Sequence, residues 1–340
     1  MDQDSDVCLV TGACGFVGSH LVDCLLKQGF YVRATDLKSA NRQYLPLTDQ
    51  LEFVPADLTI PEEAKSVVNG VTKIFHTAGI FRFDFSRKLL YKVNVEGSTN
   101  LFSAALMEEI SHFVNWSTAM IYGTLKYTPA DEHHPIRPEE SYSESKWLQE
   151  QMALSFYEEN GLPISSIRPT AIYGPRSLYG TSRLILALAN KKIFGIPSNG
   201  KTIQHHAHVN DVVNASIFIA NDPRTIGEAY NIADDLPVSI EESFRVVLDF
   251  FEHDIPKIHF PKFLVSLYGY LDRFWNMITG KTSLYEKAAL PLLFSDHIFN
   301  NSKLKQLGFI YSVPNLQTGI KSTLQWYRKH GYIKYPLNIE

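Results

Sequence analysis

Cysteine is scarce in this chain: only Cys8, Cys14 and Cys24 occur among its 340 residues. They show neither a disulfide framework nor the spacing of metal ligands. The sequence also lacks an apolar run of about 18 residues, which a membrane-spanning helix requires. The charged, apolar and small-residue order of a signal peptide is lacking too. These absences predict a cytoplasmic protein with reduced thiols.

An excess of positive charge is also lacking. Lysine and arginine number 32 against 36 acidic residues, which gives a formal net charge of -4. Without a broad basic field, the chain is not expected to bind nucleic acid. Histidines cluster at His133 and His134 and again at His205, His206 and His208. Neighbouring residues of a strand point to opposite faces, so we expect no metal site there.

Glycine is concentrated where it carries information. A short apolar strand over 7–10 leads into the segment TGACGFVGSH, which places glycines at Gly12, Gly15 and Gly18 before leucines at helical spacing. Strand, glycine turn and helix N-terminus together favour an anion site, because the backbone approaches a pyrophosphate only where side chains are absent. The next apolar strand ends at Asp36, whose carboxylate is suited to ribose hydroxyls. This context predicts a dinucleotide site.

Apolar segments alternate with helical ones through the first half of the chain. We predict strands at 7–10, 30–35, 51–54, 73–76, 112–116 and 164–167, and helices at about 61–69, 86–108 and 141–160. This βαβ alternation is typical of an α/β fold with a doubly wound parallel sheet, which binds ligands beyond the carboxyl ends of its strands. Residues 1–175 are predicted to form the nucleotide domain, with segments near 205–235 returning to it, and 176–340 mainly a substrate lobe.

A second motif places a tyrosine and a lysine four residues apart, at Tyr142 and Lys146. On a helix these positions share one face. A phenol is a poor base at neutral pH, but a neighbouring ammonium lowers its pKa towards a useful range. Thr118, at the end of a predicted strand, is the candidate hydroxyl that orients a substrate oxygen. The combination predicts general acid–base chemistry on an alcohol or ketone.

The aromatic-rich segment over 260–279, FPKFLVSLYGYLDRFWNMIT, has three interpretations. An apolar stripe at helical spacing is most often a core helix. It is also compatible with the wall of an apolar pocket or with a helix lying in a membrane interface. Charged residues inside the segment make it too polar to span a bilayer.

These motifs resemble the extended short-chain dehydrogenase/reductases, in the branch that holds 3β-hydroxysteroid dehydrogenases and the NAD-dependent epimerase/dehydratases. The resemblance covers nearly the whole chain. Further matching segments are Asp57-Leu58, Thr77-Ala78-Gly79, Asn94-Val95-Glu96-Gly97, Ser117-Thr118, RPTAIYGP at 168–175, HVNDV at 208–212 and Tyr230-Asn231-Ile232. The resemblance implies a Rossmann-type sheet with a smaller, mixed C-terminal substrate lobe.

The resemblance also implies residue roles. Thr118, Tyr142 and Lys146 would form the catalytic group, with hydride passing between the substrate carbinol carbon and the nicotinamide. The implied cofactor contacts are Gly12, Gly15, Phe16, Val17, Asp36, Asp57, Leu58, Ala78, Gly79, Asn94, Ser117, Tyr142, Lys146, Pro169 and Thr170. Asp36 would repel a 2′-phosphate, which favours NAD over NADP, although Arg33 and Lys38 lie close by in sequence. Helices near 97–108 and 145–159 would pair in a homodimer.

Two enzyme functions are compatible with this resemblance, a dehydrogenase or reductase for a hydrophobic alcohol and a nucleotide-sugar epimerase or dehydratase. A third possibility is a non-enzymatic sensor, but such relatives have typically lost the tyrosine or the lysine. The nucleotide-sugar branch carries an arginine after its Tyr-Gly-Pro motif, whereas the matching stretch here, 199–208, has Lys201 and no arginine. That branch also has asparagine where this chain has Ala171, and its dehydratases carry an Asp-Glu pair where Ala119 and Met120 stand. We therefore expect an NAD-dependent dehydrogenase or reductase for a secondary alcohol or ketone of a hydrophobic molecule, either 3β-hydroxysteroid-like or otherwise lipid-like. A nucleotide-sugar epimerase or dehydratase is the alternative.

Overall fold

The structure, a computed structural model, describes residues 6–81, 85–279 and 291–337, with the backbone alone at 272–279, 291 and 292. Its strands are β1 (Val7–Thr11), β2 (Tyr31–Thr35), β3 (Leu51–Phe53), β4 (Lys73–His76), β5 (His112–Trp116), β6 (Ile164–Pro169), β7 (Ala171–Tyr173), β8 (Ile196–Pro197), β9 (Ile203–Gln204), β10 (His206–His208), β11 (Ala229–Ile232), β12 (Val238–Ser239) and β13 (His259–Phe260). Seven of these described strands form one sheet in the order β11-β6-β5-β4-β1-β2-β3. Every pairing within it is parallel.

Eight of the described α-helices lie between strands in the chain, and three follow the last strand. They are α1 (Phe16–Lys27), α2 (Pro61–Val68), α3 (Arg87–Tyr91), α4 (Gly97–Ala105), α5 (Ser141–Asn160), α6 (Thr181–Ala189), α7 (Val209–Ala220), α8 (Ile240–Asp249), α9 (Lys262–Thr279), α10 (Ser302–Gln306) and α11 (Leu316–Lys329). The helix predicted over 86–108 divides into α3 and α4 at a π-helical turn, Lys92–Glu96.

The sheet is covered on both faces, as the alternation of its side chains shows. Cys8 and Val10 of β1 belong to the core that includes residues of α1 and α7, whereas Leu9 between them belongs to the core with residues of α2 and α4. Successive strand residues point to opposite faces, so both sides of the sheet are buried against helices. The predicted Rossmann-type, doubly wound fold is confirmed.

The C-terminal half contributes to two regions. Helix α7 packs against α1, and β11 pairs with β6 at the edge of the main sheet. A separate core joins α6, α8 and α11 through apolar side chains such as Leu188, Phe244 and Leu324. Short strand pairs lie beside this second core. One of them joins β8 to β13. Leu188 and Phe244 of the second core line the same cavity as residues at the carboxyl ends of the main strands, so the second core stands beyond those ends.

Candidate active site

A cavity of about 1290 Å³ opens where the main strands end. Its wall includes nearly every residue predicted from the sequence to bind a cofactor or to take part in catalysis. Those lining it are Gly12, Gly15, Phe16, Val17, Asp36, Asp57, Leu58, Ala78, Gly79, Ser117, Thr118, Tyr142, Lys146, Pro169 and Thr170. Asn94 lies behind the wall, where its side chain bonds both the N–H and the carbonyl of Ile80, at 2.8 and 3.2 Å. Asn94 therefore supports the cavity wall from behind.

The glycine turn is packed too closely for side chains. Gly12 has φ +66°, and a Cβ on Gly18 would lie 2.1 Å from the Gly12 carbonyl oxygen. Helix α1 begins at Phe16 with no side-chain cap on Gly15, which leaves its first N–H groups without a side-chain partner. Such a helix end favours a bound phosphate.

Asp36 is held in place by two backbone hydrogen bonds. Its two carboxylate oxygens accept hydrogen bonds from the N–H of Cys14 at 3.0 Å and of Leu37 at 2.8 Å. The carboxylate therefore presents a fixed negative charge on the cavity wall beside the glycine turn. Arg33, one of two residues expected to soften that charge, instead bonds Glu52 at 2.9 Å and the carbonyl of Asn69 at 2.6 Å.

We expect Asp36→Asn to raise the KM for NAD about tenfold and to make NADP a usable cofactor, because a carboxylate favours ribose hydroxyls and repels a 2′-phosphate. Initial rates with each cofactor measure the change. Arg33→Ala is the control and should leave the cofactor preference unchanged, since Arg33 is engaged by Glu52. An unaltered NAD/NADP ratio in Asp36→Asn would contradict this role.

Unsatisfied hydroxyls show that the cavity fits a polar cofactor. Thr35, Ser117 and Thr170 line it, and their side-chain oxygens are buried with no hydrogen-bond partner among the described residues. Buried polar groups normally find a partner. Together with the glycine turn and Asp36, they match the ribose, phosphate and amide groups of a dinucleotide.

Tyr142 and Thr118 meet at the centre of the cavity wall. Thr118 lies close enough to the Tyr142 hydroxyl to favour its ionised form, and the Tyr142 ring packs edge-on against Phe81, with centroids 5.0 Å apart. Burial raises the pKa of Tyr142 above its ordinary value, and the nearby Glu140 carboxylate raises it further. This is opposite to the lowering expected from Lys146.

Lys146 is buried as well. Burial lowers the pKa of its ammonium to about 7, and the charge of Glu150 offsets part of that effect. The Nζ atom donates a hydrogen bond to Gln149 Oε1. It also lies 3.9 Å from where a Cβ on Gly79 would stand, beside the predicted ribose position. Lys146 is therefore in reach of the cofactor site.

The hydrogen bond from Lys146 to Gln149 is the first of a series of buried hydrogen bonds that also includes Asn115. The sequence analysis did not predict this series. The Gln149 amide donates to Asn115 Oδ1 at 2.6 Å, and the Asn115 amide donates to Ser166 at 3.0 Å. Gln149 and Asn115 are fully buried. The helical spacing of Gln149 from Lys146 was a usable signal, but the contact with β5 depends on the fold.

We expect Gln149→Met to lower the pKa of Lys146 and to move the alkaline decline of kcat to lower pH by about one unit. A hydrogen bond to a charged group contributes about 1.5–3 kcal/mol, and one pKa unit corresponds to about 1.4 kcal/mol. Gln149→Glu supplies a neighbouring carboxylate, which should raise the pKa of Lys146. The alkaline decline of kcat in this variant should therefore move to higher pH. Initial rates across the pH range test this, and identical profiles for both variants would refute the role.

The far end of the cavity is apolar. Helices α6 and α8 and the turn after 290 line it with aliphatic and aromatic side chains, namely Leu184, Ile185, Leu188, Phe244, Val247 and Leu293. Tyr179 also lines the cavity, with its ring 5.6 Å from that of Phe81. Parts of the loops expected to shape the pocket, 82–84 and 280–290, lie outside the described residues.

His205, His206 and His208 are buried. No group of three or more metal-ligating side chains occurs in the part of the chain that the structure describes. His205 bonds the carbonyl of Asp234 at 2.6 Å and the N–H of Phe299 at 3.1 Å. Burial lowers the pKa of His206 to about 4, which keeps that ring neutral in the cavity wall.

Comparisons with known proteins agree with this geometry. A model of the NAD dependent epimerase/dehydratase family matches residues 8–233. Sterol-4-alpha-carboxylate 3-dehydrogenase, decarboxylating, from Bos taurus is 28% identical over 265 residues, which are 76% of this chain and 73% of that protein. An N-acetyl-alpha-D-glucosaminyl-diphospho-ditrans,octacis-undecaprenol 4-epimerase from Escherichia coli O157:H7 is 27% identical over 95% of both chains.

Solved structures show the same fold. The UDP-glucose 4-epimerase of Thermus thermophilus, in complex with NAD, superposes with a TM-score of 0.76 at 23% identity. The match covers 95% of this chain and 99% of that one. Among the described residues, no helix combines the length and the apolar character needed to cross a membrane.

Proposed function

Because the chain belongs to the NAD-dependent epimerase/dehydratase family, we propose that it is an NAD-dependent dehydrogenase or reductase for a secondary alcohol on a hydrophobic molecule. The observation that carries this proposal is the apolar lining that α6, α8 and Leu293 give to the cavity that also holds Tyr142. A flat apolar substrate gains free energy by leaving water for such a surface. The names of the sterol dehydrogenases among its relatives point the same way.

The residues around Tyr142 divide the chemistry among them. Bound NAD supplies the hydride acceptor at the nicotinamide ring. Thr118 holds the substrate oxygen by a hydrogen bond, and Tyr142 takes the hydroxyl proton during oxidation and returns it during reduction. A charged Lys146 favours the tyrosinate by its proximity, against the burial that raises the pKa of Tyr142. The apolar walls exclude water from the reacting atoms.

A nucleotide-sugar epimerase or dehydratase is the second candidate, and one cavity residue favours it. Arg183 of α6 lines the cavity, although the stretch 199–208 lacks an arginine. A guanidinium at that point suits a diphosphate or a carboxylate. The Escherichia coli relative, whose name specifies a diphospho-undecaprenol sugar, supports the same candidate.

The experiment that tests the proposal compares two substrate panels with NAD and the purified protein. One holds 3β-hydroxysteroids and long-chain 3-hydroxy compounds, and the other holds nucleotide sugars. NADH formation on a hydrophobic alcohol is the expected result. Conversion of a nucleotide sugar, detected by product analysis because epimerases regenerate their cofactor, would replace the proposal with the second candidate.

We also propose that the protein is a homodimer. The end of α4 and the middle of α5 leave apolar side chains exposed, namely Leu106, Met107, Leu154 and Tyr157. Met152 and Phe156 of the same helix pack against the core of their own chain. The exposed side chains suit a self-complementary helical interface. Light scattering after size exclusion measures the mass.

A further inference from the structure

Helix α9 exposes apolar side chains along one face. Phe263, Leu267 and Leu271, at successive i, i+4 positions, are 67%, 52% and 57% exposed. Val265 is 8% exposed and faces the rest of the protein. The core-helix interpretation of the segment 260–279 therefore does not hold for residues 260–271. The side chains of Phe274 and Trp275 lie outside the described residues.

The exposed face extends onto a neighbouring strand pair. Strand β13 pairs in parallel with β8, and the N–H of Ile196 donates to the carbonyl of Ile258 at 2.8 Å. Phe194 and Ile258 beside this pair are 75% and 56% exposed. We call the residues 194–197 and 258–271 together the apolar platform. An apolar patch of this extent marks an interaction surface more often than a surface left in water.

Lysines border the apolar platform. The segments 190–198 and 255–271 contain Lys191, Lys192, Lys257 and Lys262. The acidic residues beside them include Asp254 and Asp272, at the two ends of the second segment, and Glu241, whose carboxylate lies 4.0 Å from the His259 ring. Lysine stems lie along apolar surface while their ammonium groups reach outward. The Lys262 ammonium lies over the ring of Phe294, 5.2 Å from the ring centroid. Apolar side chains ringed by lysine complement an anionic lipid surface.

The apolar platform also adjoins the substrate cavity. Leu188 of α6 lines the cavity, and the chain reaches Phe194 six residues later. Leu293 lines it as well, next to the Phe294 ring that Lys262 covers. The apolar end of the cavity and the platform are thus joined at two points of the chain.

We propose that the apolar platform docks onto the surface of an anionic phospholipid bilayer, with the side chains of α9 inserted at the boundary between headgroups and acyl chains. The docking itself is independent of the substrate. Passage of a hydrophobic alcohol from the lipid to the adjoining cavity end rests on the proposed function.

Sedimentation with vesicles tests the docking. We expect the full-length protein to bind phosphatidylglycerol-containing vesicles and to bind phosphatidylcholine vesicles far less. The triple variant Phe263→Ser/Leu267→Ser/Leu271→Ser should lose at least tenfold in affinity, because insertion scales with buried apolar area. Lys257→Gln and Lys262→Gln should each lower the affinity for anionic vesicles about fivefold. Added salt should make these two losses smaller, because it screens the attraction between lysine and lipid.

Ile310→Ser is the matched control, since Ile310 is 84% exposed and lies outside the apolar platform. It should bind vesicles like the unaltered protein. The triple variant should keep its activity on a short, water-soluble alcohol, which separates failure of docking from failure of the proposed function. No binding to anionic vesicles, or equal binding by the triple variant, would overturn the proposal. A lower mass of the triple variant without lipid would assign the platform to a second copy of the chain.

Discussion

Replacing Tyr142 by phenylalanine should lower kcat about a thousandfold while leaving the fold and NAD binding intact, because general acid–base groups contribute about 10²–10⁴ in rate. The substitution removes the hydroxyl that Thr118 contacts and keeps the ring that packs against Phe81. Initial rates of NADH formation measure kcat. Quenching of tryptophan fluorescence measures NAD binding separately.

Tyr179→Phe is the matched control, because it makes the same change in the same cavity and also keeps a ring contact with Phe81. It should retain activity within about tenfold, which is the usual limit for losing a neutral hydrogen bond. If Tyr142→Phe stayed as active as Tyr179→Phe, another group would have to exchange the proton, and the proposed role of Tyr142 would be rejected.

Glu150→Ala should destabilise the protein by about 3–5 kcal/mol, the cost of leaving a buried charge without its partner. The side chains of Glu150 and Arg168 are 7% and 8% exposed, and Arg168 Nε donates to Glu150 Oε1 at 3.0 Å. The guanidinium also donates to the Tyr122 hydroxyl at 2.7 Å, but that neutral partner does not balance its charge. Denaturant unfolding measures the free energy.

Two comparisons make the Glu150 result specific. Glu144→Ala, on the same helix, removes an exposed pair with Arg87 and should change stability little. The double variant Glu150→Met/Arg168→Met should be more stable than Glu150→Ala, since it removes both charges. If Glu144→Ala and Glu150→Ala lowered the free energy of unfolding equally, the buried pair would contribute no more to stability than the exposed one.

The same pair connects the sheet to the catalytic helix. Glu150 lies one turn after Lys146 on α5, and its charge raises the pKa of that lysine against the lowering by burial. Arg168 precedes Pro169 and Thr170, which line the cavity. Loss of Glu150 should therefore also reduce the charged fraction of Lys146 at neutral pH.

Local patterns were sufficient for most of the nucleotide domain. Strand, glycine turn and helix are consecutive in the chain, and their geometry is set by residues a few positions apart, such as Gly12 and Gly18. Tyr142 and Lys146 were found for the same reason, because helical spacing fixes which side chains share a face. The strand segments, buried on both faces, were equally readable as apolar runs.

Contacts between distant segments could not be found in this way. Lys146 was expected to act on Tyr142, yet burial lowers its own pKa to about 7 and Gln149 takes its hydrogen bond. Arg33 lies three positions before Asp36 but points to Glu52. An apolar stripe has the same sequence pattern whether or not another part of the chain covers it. The exposure of Phe263 therefore depended on how α9 packs against the rest of the protein.

The sequence by itself determined the fold class, the dinucleotide site and the tyrosine–lysine pair, because short-range sterics and periodicity control each of them. Only the tertiary structure decided which polar groups lose water and which partners they then meet. That choice sets the pKa of Lys146, pairs Glu150 with Arg168 and leaves the face of α9 exposed. Burial arises from the packing of residues far apart in the chain, which no local pattern records.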